Sequence, residues 1–286
     1  MKSRNIMYII ISIICIVAII LGVYYQIFSK KVVKESKLNE VTNNIEDEPN
    51  VDNPENLLLE FNKLFTNSIY TQGYSTSGVT KLKGLEGQDI IYSAYNVQED
   101  IEGKYSVDLK LPAFNIQSDV ADEYNNTTQS IFADKASNIF MNVDNLKKYT
   151  IYNVEYVAYL NENILSLVIK STLKEGNSPQ RIIVQTYNYD IETNKKVTLN
   201  EILEKENIKT RDVNKKIERQ VKEASKQAEE IAEATGQIVY KRDINNAMYI
   251  TDNVSTFFIG ENGQIYILYP YGNNNVTSEI DIIKID

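Results

Sequence analysis

From Ile6 to Phe28 the chain reads IMYIIISIICIVAIILGVYYQIF, without one charged side chain. As an α-helix rising about 1.5 Å per residue, the run spans roughly 34 Å, enough to cross a hydrocarbon layer of roughly 30 Å. Lys2 and Arg4 precede it, and Lys30, Lys31 and Lys34 follow. Tyr24, Tyr25 and Phe28 gather at its second end, where aromatic rings favour the lipid–water boundary. The run exceeds the roughly 7–15 apolar residues of a secretory signal, and no small-residue cleavage pattern follows it. Cys15 lies mid-run behind Ile13 and Ile14, a bulky setting unsuited to lipoprotein processing. The expectation is an uncleaved transmembrane helix at Ile6–Phe28 behind a short cytoplasmic tail, residues 1–5. Basic residues on both flanks leave the orientation open by charge alone.

Composition removes much of the usual chemistry from the remainder of the chain. The 286 residues include no His and a single Cys. A Ser-His-Asp triad, an imidazole base and a disulfide framework are excluded, as are zinc sites built on His or paired Cys within one chain. A net charge of −9 lacks the basic footprint that nucleic acid demands. The acidic run Glu46, Asp47, Glu48 and Asp52 has no EF-hand spacing. Gly84-Leu85-Glu86-Gly87 lacks the Lys-Ser/Thr of a phosphate loop. No cofactor, metal, nucleic acid or catalytic activity is expected.

Residues 29–53 are polar and without sustained period, a flexible stalk. Asn53-Pro54-Glu55 carries a helix-start pattern, and Leu57, Leu58, Phe61, Leu64 and Phe65 follow at helical spacing, so residues 54–89 read as an amphipathic helix and a loop. From Ile90 the pattern is mixed. Two strands flank EDIEG, with Pro112 ending the second, and Ser118 caps a helix reaching about Phe140. YTIYNVEYVAYL, ILSLVIKSTL and RIIVQTYNYDI are strands joined by short turns, which implies antiparallel pairing. Arg211–Ala234 repeats Val213, Ile217, Val221, Ala224, Ala228 and Ile231 on one face, and Gly236 stops it. STFFI, QIYILY and SEIDIIKI complete the chain as strands. The fold class is α+β: an N-terminal transmembrane helix, then two antiparallel-sheet lobes, 90–192 and 193–286, with helices covering one face.

YSVDLKLPAFN with the helix after it, ILSLVIKSTLKEG, TYNYDIETNKKVTLNEIL and FFIGENGQIYILYPYG occur in an order that resembles a known pair of extracytoplasmic domains of unknown function. That pair occurs in RsiV-type anti-sigma factors, which sense lysozyme, and ahead of the catalytic domain in PdaC-type peptidoglycan deacetylases. The resemblance covers roughly Ile90–Ile285. It implies an extracytoplasmic location and a cell-envelope ligand, either a wall polymer or a lysozyme-like protein. The five residues ahead of Ile6 are too few for a sigma-binding domain, and a chain without His lacks the deacetylase ligands, so the domain pair is expected alone. The family's loop after its hallmark tyrosine is commonly rich in Ala, Pro and Tyr; here it is Gly272-Asn273-Asn274-Asn275-Val276.

Tyr269-Pro270-Tyr271-Gly272-Asn273-Asn274-Asn275 is the leading binding candidate, because Tyr offers rigid amphipathic area and Asn adaptable hydrogen bonding. As a connection, however, it fits a set of solvated turn formers better. Asp190 and Glu192 could act as paired carboxylates but fit an Asx-type turn better. Asp281, between Ile280 and Ile282, is expected to face water. Lys215, Lys216, Arg219 and Lys222 could meet an anionic polymer, yet Glu218 and Glu223 interleave as in a solvated, internally paired face. The expected role is non-catalytic binding or sensing at the cell envelope. A carboxylate-dependent glycan hydrolase and a structural partner using the 57–65 stripe are the alternatives.

Overall fold

The computed structural model describes residues 53–72, 89–273 and 276–285. The expected tail, transmembrane helix and nearly all of the stalk lie outside the described residues, as do residues 73–88, which hold most of the loop expected after the amphipathic helix, and Asn274 and Asn275. Among the described residues no helix is long and apolar enough to cross a membrane.

The described chain is mixed α+β, with a seven-stranded and a three-stranded sheet. Helix α1, Pro54–Lys63, starts as its sequence dictates: the Asn53 side chain accepts from the Glu55 N–H at 3.0 Å, and Pro54 occupies the first turn. Strands β1 (Ile69–Gln72), β2 (Ile91–Ile101) and β3 (Tyr105–Phe114) follow. Ser118 caps α2, Asp119–Thr128, through the Ala121 N–H. A π turn, Gln129–Ala133, continues directly into α3, Asp134–Met141, so the single expected helix is one rod with a wider turn at its middle. Strands β4 (Thr150–Asn161), β5 (Ile164–Glu175), β6 (Arg181–Asp190) and β7 (Lys195–Lys196) complete the large sheet. A reciprocal Thr198–Glu201 capping box opens α4, Leu199–Lys205. The long helix α5 runs Thr210–Thr235 and stops at Gly236, whose φ of 70° is left-handed. The small sheet is β8 (Phe257–Ile259), β9 (Ile265–Asn273) and β10 (Val276–Ile285).

The large sheet is not antiparallel throughout. The α2–α3 rod carries the chain from β3 to a parallel neighbour, β4, as a crossover must. β1 is also parallel to β4, pairing Ile69 with Ala158 through Gln72 with Asn161. β3 and β1 meet different stretches of β4, and Asn67 fills the interval. Its N–H donates to the Tyr156 carbonyl at 2.8 Å, and its side-chain oxygen accepts from the Tyr156 N–H at 3.1 Å. Pro112 does not end β3, because it pairs with Ser93 beside a β2 bulge, where a missing N–H is tolerated. β9 continues through Asn273 and β10 begins at Val276, so most of the expected connection from Tyr269 to Asn275 is strand.

Helices do not cover a single face. On β4, Tyr152, Val154, Tyr156, Ala158 and Leu160 join the cluster under α2–α3, while Val157 and Tyr159 face the opposite way. The change from alternation to a continuous apolar run in YNVEYVAYL marks where β4 becomes buried on both faces. The small sheet repeats this arrangement. Ile265, Ile267 and Tyr269 pack with Val213, Ile217 and Val221 of α5. Leu268 and Phe258 join Val157, Tyr159 and the α1 residues Leu57 and Phe61 in a third cluster between the sheets. Polar links bind the sheets there: Ser166 Oγ donates to Asn188 Oδ1 at 2.6 Å and accepts from the Ile259 N–H at 3.1 Å, and Asn188 Nδ2 donates to the Phe257 carbonyl at 2.8 Å.

Candidate functional site

The site follows from a difference in strand length. β6 pairs with β5 from Arg181 to Asp190, but β7 joins it only at Tyr189 and Asp190. At the other end of its second edge the Ser278 N–H of β10 donates to the carbonyl of Gln180, just ahead of Arg181, at 3.2 Å. Between these two ends, from Arg181 to Tyr187, no strand ladder runs beside that edge of β6 among the described residues. A cleft of about 490 Å³ opens along that edge. Ile131 and Lys135 of the α2–α3 rod overhang one side; Pro270, Tyr271 and Ser278 of the small sheet form the other. Tyr152, Leu173 and Ile183 make much of the wall apolar. The Tyr152 hydroxyl donates to the Phe132 carbonyl at 3.1 Å. Burial pushes that phenol up to about 12, partly offset by its bond to Ser171.

Two of the cleft residues, Lys135 and Arg181, are cationic. Both bind the carboxylate of Glu175, Lys135 at 3.4 Å and Arg181 through its guanidinium. Their side chains remain 35 % and 41 % exposed. Two cations on one carboxylate leave one positive charge in excess at this mouth, within a chain of net charge −9.

Behind Tyr271 lies a second charge cluster of opposite stoichiometry. Arg242, from the irregular segment after α5, grips Asp281 of β10 with two N–H groups at 2.8 Å and Glu279 with a third contact at 2.9 Å. The Tyr271 hydroxyl donates to Asp281 at 2.9 Å and lies 2.7 Å from the Tyr249 hydroxyl. Tyr240 stacks on Tyr271, with ring centroids 4.5 Å apart. The Arg242 and Asp281 side chains are only 5 % and 6 % exposed. Burial opposes the guanidinium charge, yet Asp281 and Glu279 hold its pKa above the ordinary value. Burial, reinforced by the Asp281 charge, pushes the Tyr271 phenol far up.

This geometry redistributes the sequence candidates. Tyr269 and Tyr271 are buried, not displayed on a loop, because strand alternation aims them into the cluster under α5. Pro270, between them, is exposed and lines the cleft together with Tyr271. Gly272 and Asn273 belong to the β9 backbone; Asn274 and Asn275 lie outside the described residues. Asp281 does not face water, since Arg242 and Tyr271 hold it inside. Asp190 forms the expected Asx-type turn, accepting from the N–H groups of Glu192 and Thr193 at 2.8 and 3.0 Å. Partial burial works against its charge, but those N–H groups hold its carboxyl below the ordinary value. On α5, Lys222 pairs with Glu218 one turn away. Of the 57–65 stripe, Leu57 and Phe61 are fully buried inside the body. Besides Asp281, the charges of the two clusters are carried by Lys135, Glu175, Arg181, Arg242 and Glu279, and none of these five stands in a local motif that would have singled it out.

No family model matches this chain, and no curated protein matches it. Solved structures similar to it include a DUF3298 family protein from Pseudomonas aeruginosa PAO1, at 10% identity over 68% of this chain and 86% of that one, with a TM-score of 0.38. A member of the same family from Bacteroides fragilis NCTC 9343 is 14% identical over 68% of this chain and 89% of its own, with a TM-score of 0.40.

Proposed function

We propose that this chain is a non-catalytic binding or sensing module of the bacterial cell envelope. Ile6–Phe28 anchors it in the membrane and the α+β body stands on the extracytoplasmic side. The ligand is a wall component or a wall-acting protein such as lysozyme, as for the RsiV-type and PdaC-type domain pairs that its segments resemble. The observation that carries the binding reading is the cleft along β6, with aromatic and apolar walls beside fixed polar groups, the usual make-up of a recognition site. Its charged groups are tied to one another at the mouth, an arrangement suited to recognition more than to proton transfer.

Two measurements test the proposal. Protease treatment of intact cells should digest the body and leave the anchor; full protection would place the body inside and end the reading. The purified full-length chain in detergent should retain wall fragments or lysozyme, and Arg181→Gln should weaken that retention. Retention of neither would remove the envelope ligand.

A further inference from the structure

We propose that the occupant of the cleft is an extended peptide that adds as a strand to the open edge of β6, with acidic side chains directed toward Lys135 and Arg181. The proposal rests on the binding-module reading and names its ligand class. An edge strand presents unpaired N–H and C=O groups to any chain that can reach them. The opposite edge of the same sheet is guarded: β2 carries exposed Glu99 and Asp100, and a bulge between Ser93 and Tyr95 interrupts its ladder. The open stretch of β6 carries a single charged side chain, Arg181, which Glu175 holds. Its register with β5 is unbroken, it contains no proline, and Ile183 is 47 % exposed.

Strand addition draws affinity from main-chain hydrogen bonds and specificity from alternate side chains. Here the two sides of the cleft differ. Residues directed to one side of an added strand meet Lys135, Arg181 and Ile131, while those directed to the other meet Pro270 and Tyr271. Glu175 neutralises only one of the two cations. The complementary peptide therefore alternates acidic with apolar residues, in keeping with the period of two along a strand.

The test uses the purified full-length chain in detergent and fluorescein-labelled pentapeptides, read by anisotropy. Acetyl-Val-Glu-Val-Glu-Val-amide should bind, and its Lys-for-Glu counterpart should bind about tenfold more weakly or not at all. Two N-methylated versions, blocked at alternate amides, decide the mode. An added strand turns alternate amides toward its host, so one version should lose binding and the other keep it. Arg181→Gln should weaken the Glu peptide about tenfold, and Glu175→Gln, which frees both cations, should tighten it. Equal binding by both methylated versions, no binding of the Glu peptide at millimolar concentration, or a dimer of the chain that excludes the peptide would overturn the proposal. Peptide affinity does not depend on membrane sidedness. Full protease protection in cells would therefore end the envelope reading and leave this one standing, whereas wall retention with indifferent methylated peptides would do the reverse.

Discussion

The two charge clusters beside Tyr271 invert one another. At Arg242 one cation faces two carboxylates in the interior; at Glu175 one carboxylate faces two cations at the surface. The buried cluster is bidentate and hydrogen-bonded on nearly every side, and it pins the segment after α5 to β10. The surface cluster is only partly buried, and it leaves a charge for something else to meet. Similar residue types thus serve cohesion in one place and, in our proposal, recognition in the other, with desolvation as the deciding variable.

The largest test of that contrast is Asp281→Ala. It leaves the Arg242 charge in the interior with Glu279 as its remaining carboxylate and should remove about 3 kcal/mol from unfolding stability, read by urea denaturation. Tyr271→Phe keeps the ring but unties Asp281 from Tyr249, and should cost about 1–3 kcal/mol in the same assay. Alkaline pH attacks the buried cluster by another route. Burial raises the Tyr271 and Tyr249 phenols above their ordinary value of 10.0, so the folded state keeps protons that the unfolded chain releases. Their stabilisation is complete below pH 10 and is lost as pH rises through the folded values, so urea midpoints should fall steadily above pH 10. The smallest effect belongs to the surface: Glu175→Gln should change stability by less than about 1 kcal/mol. Salt at about 1 M, where the screening length is roughly 3 Å, should erase the Glu175–Arg181 coupling in a double-mutant cycle while leaving that of Arg242 and Asp281 largely intact. Equal salt sensitivity of the two pairs would dissolve the comparison.

Local chemistry was legible in the sequence wherever the deciding partner lay nearby. Asn53, Ser118 and Gly236 mark helix ends through bonds spanning two to four residues, and each acts as read. The alternation in YTIYNVEYV identifies a strand because its period is local. The parallel pairings of β4 were hidden, since their partners lie roughly forty and ninety positions earlier in the chain. Asp281 was misread for the same reason. Flanked by Ile280 and Ile282 it fits a solvent-facing position, and the residue that pulls it inside, Arg242, sits in an irregular segment without period. Tyr269 and Tyr271 looked like a loop because of Pro270 and Gly272. β9 tolerates that proline past Ile267, the last of its residues that β8 pairs. The cleft left no trace in any one segment, because it exists where one strand outlasts its neighbour.

The earliest described elements are stitched to distant parts of the chain. β1 lies beside a strand contributed by residues about ninety positions later, and α1 packs on side chains about a hundred or more positions later. A tug on the chain ahead of Asn53 would be borne by the seam that keeps the two sheets together, so prying the leading end loose would open the interior of both sheets at once.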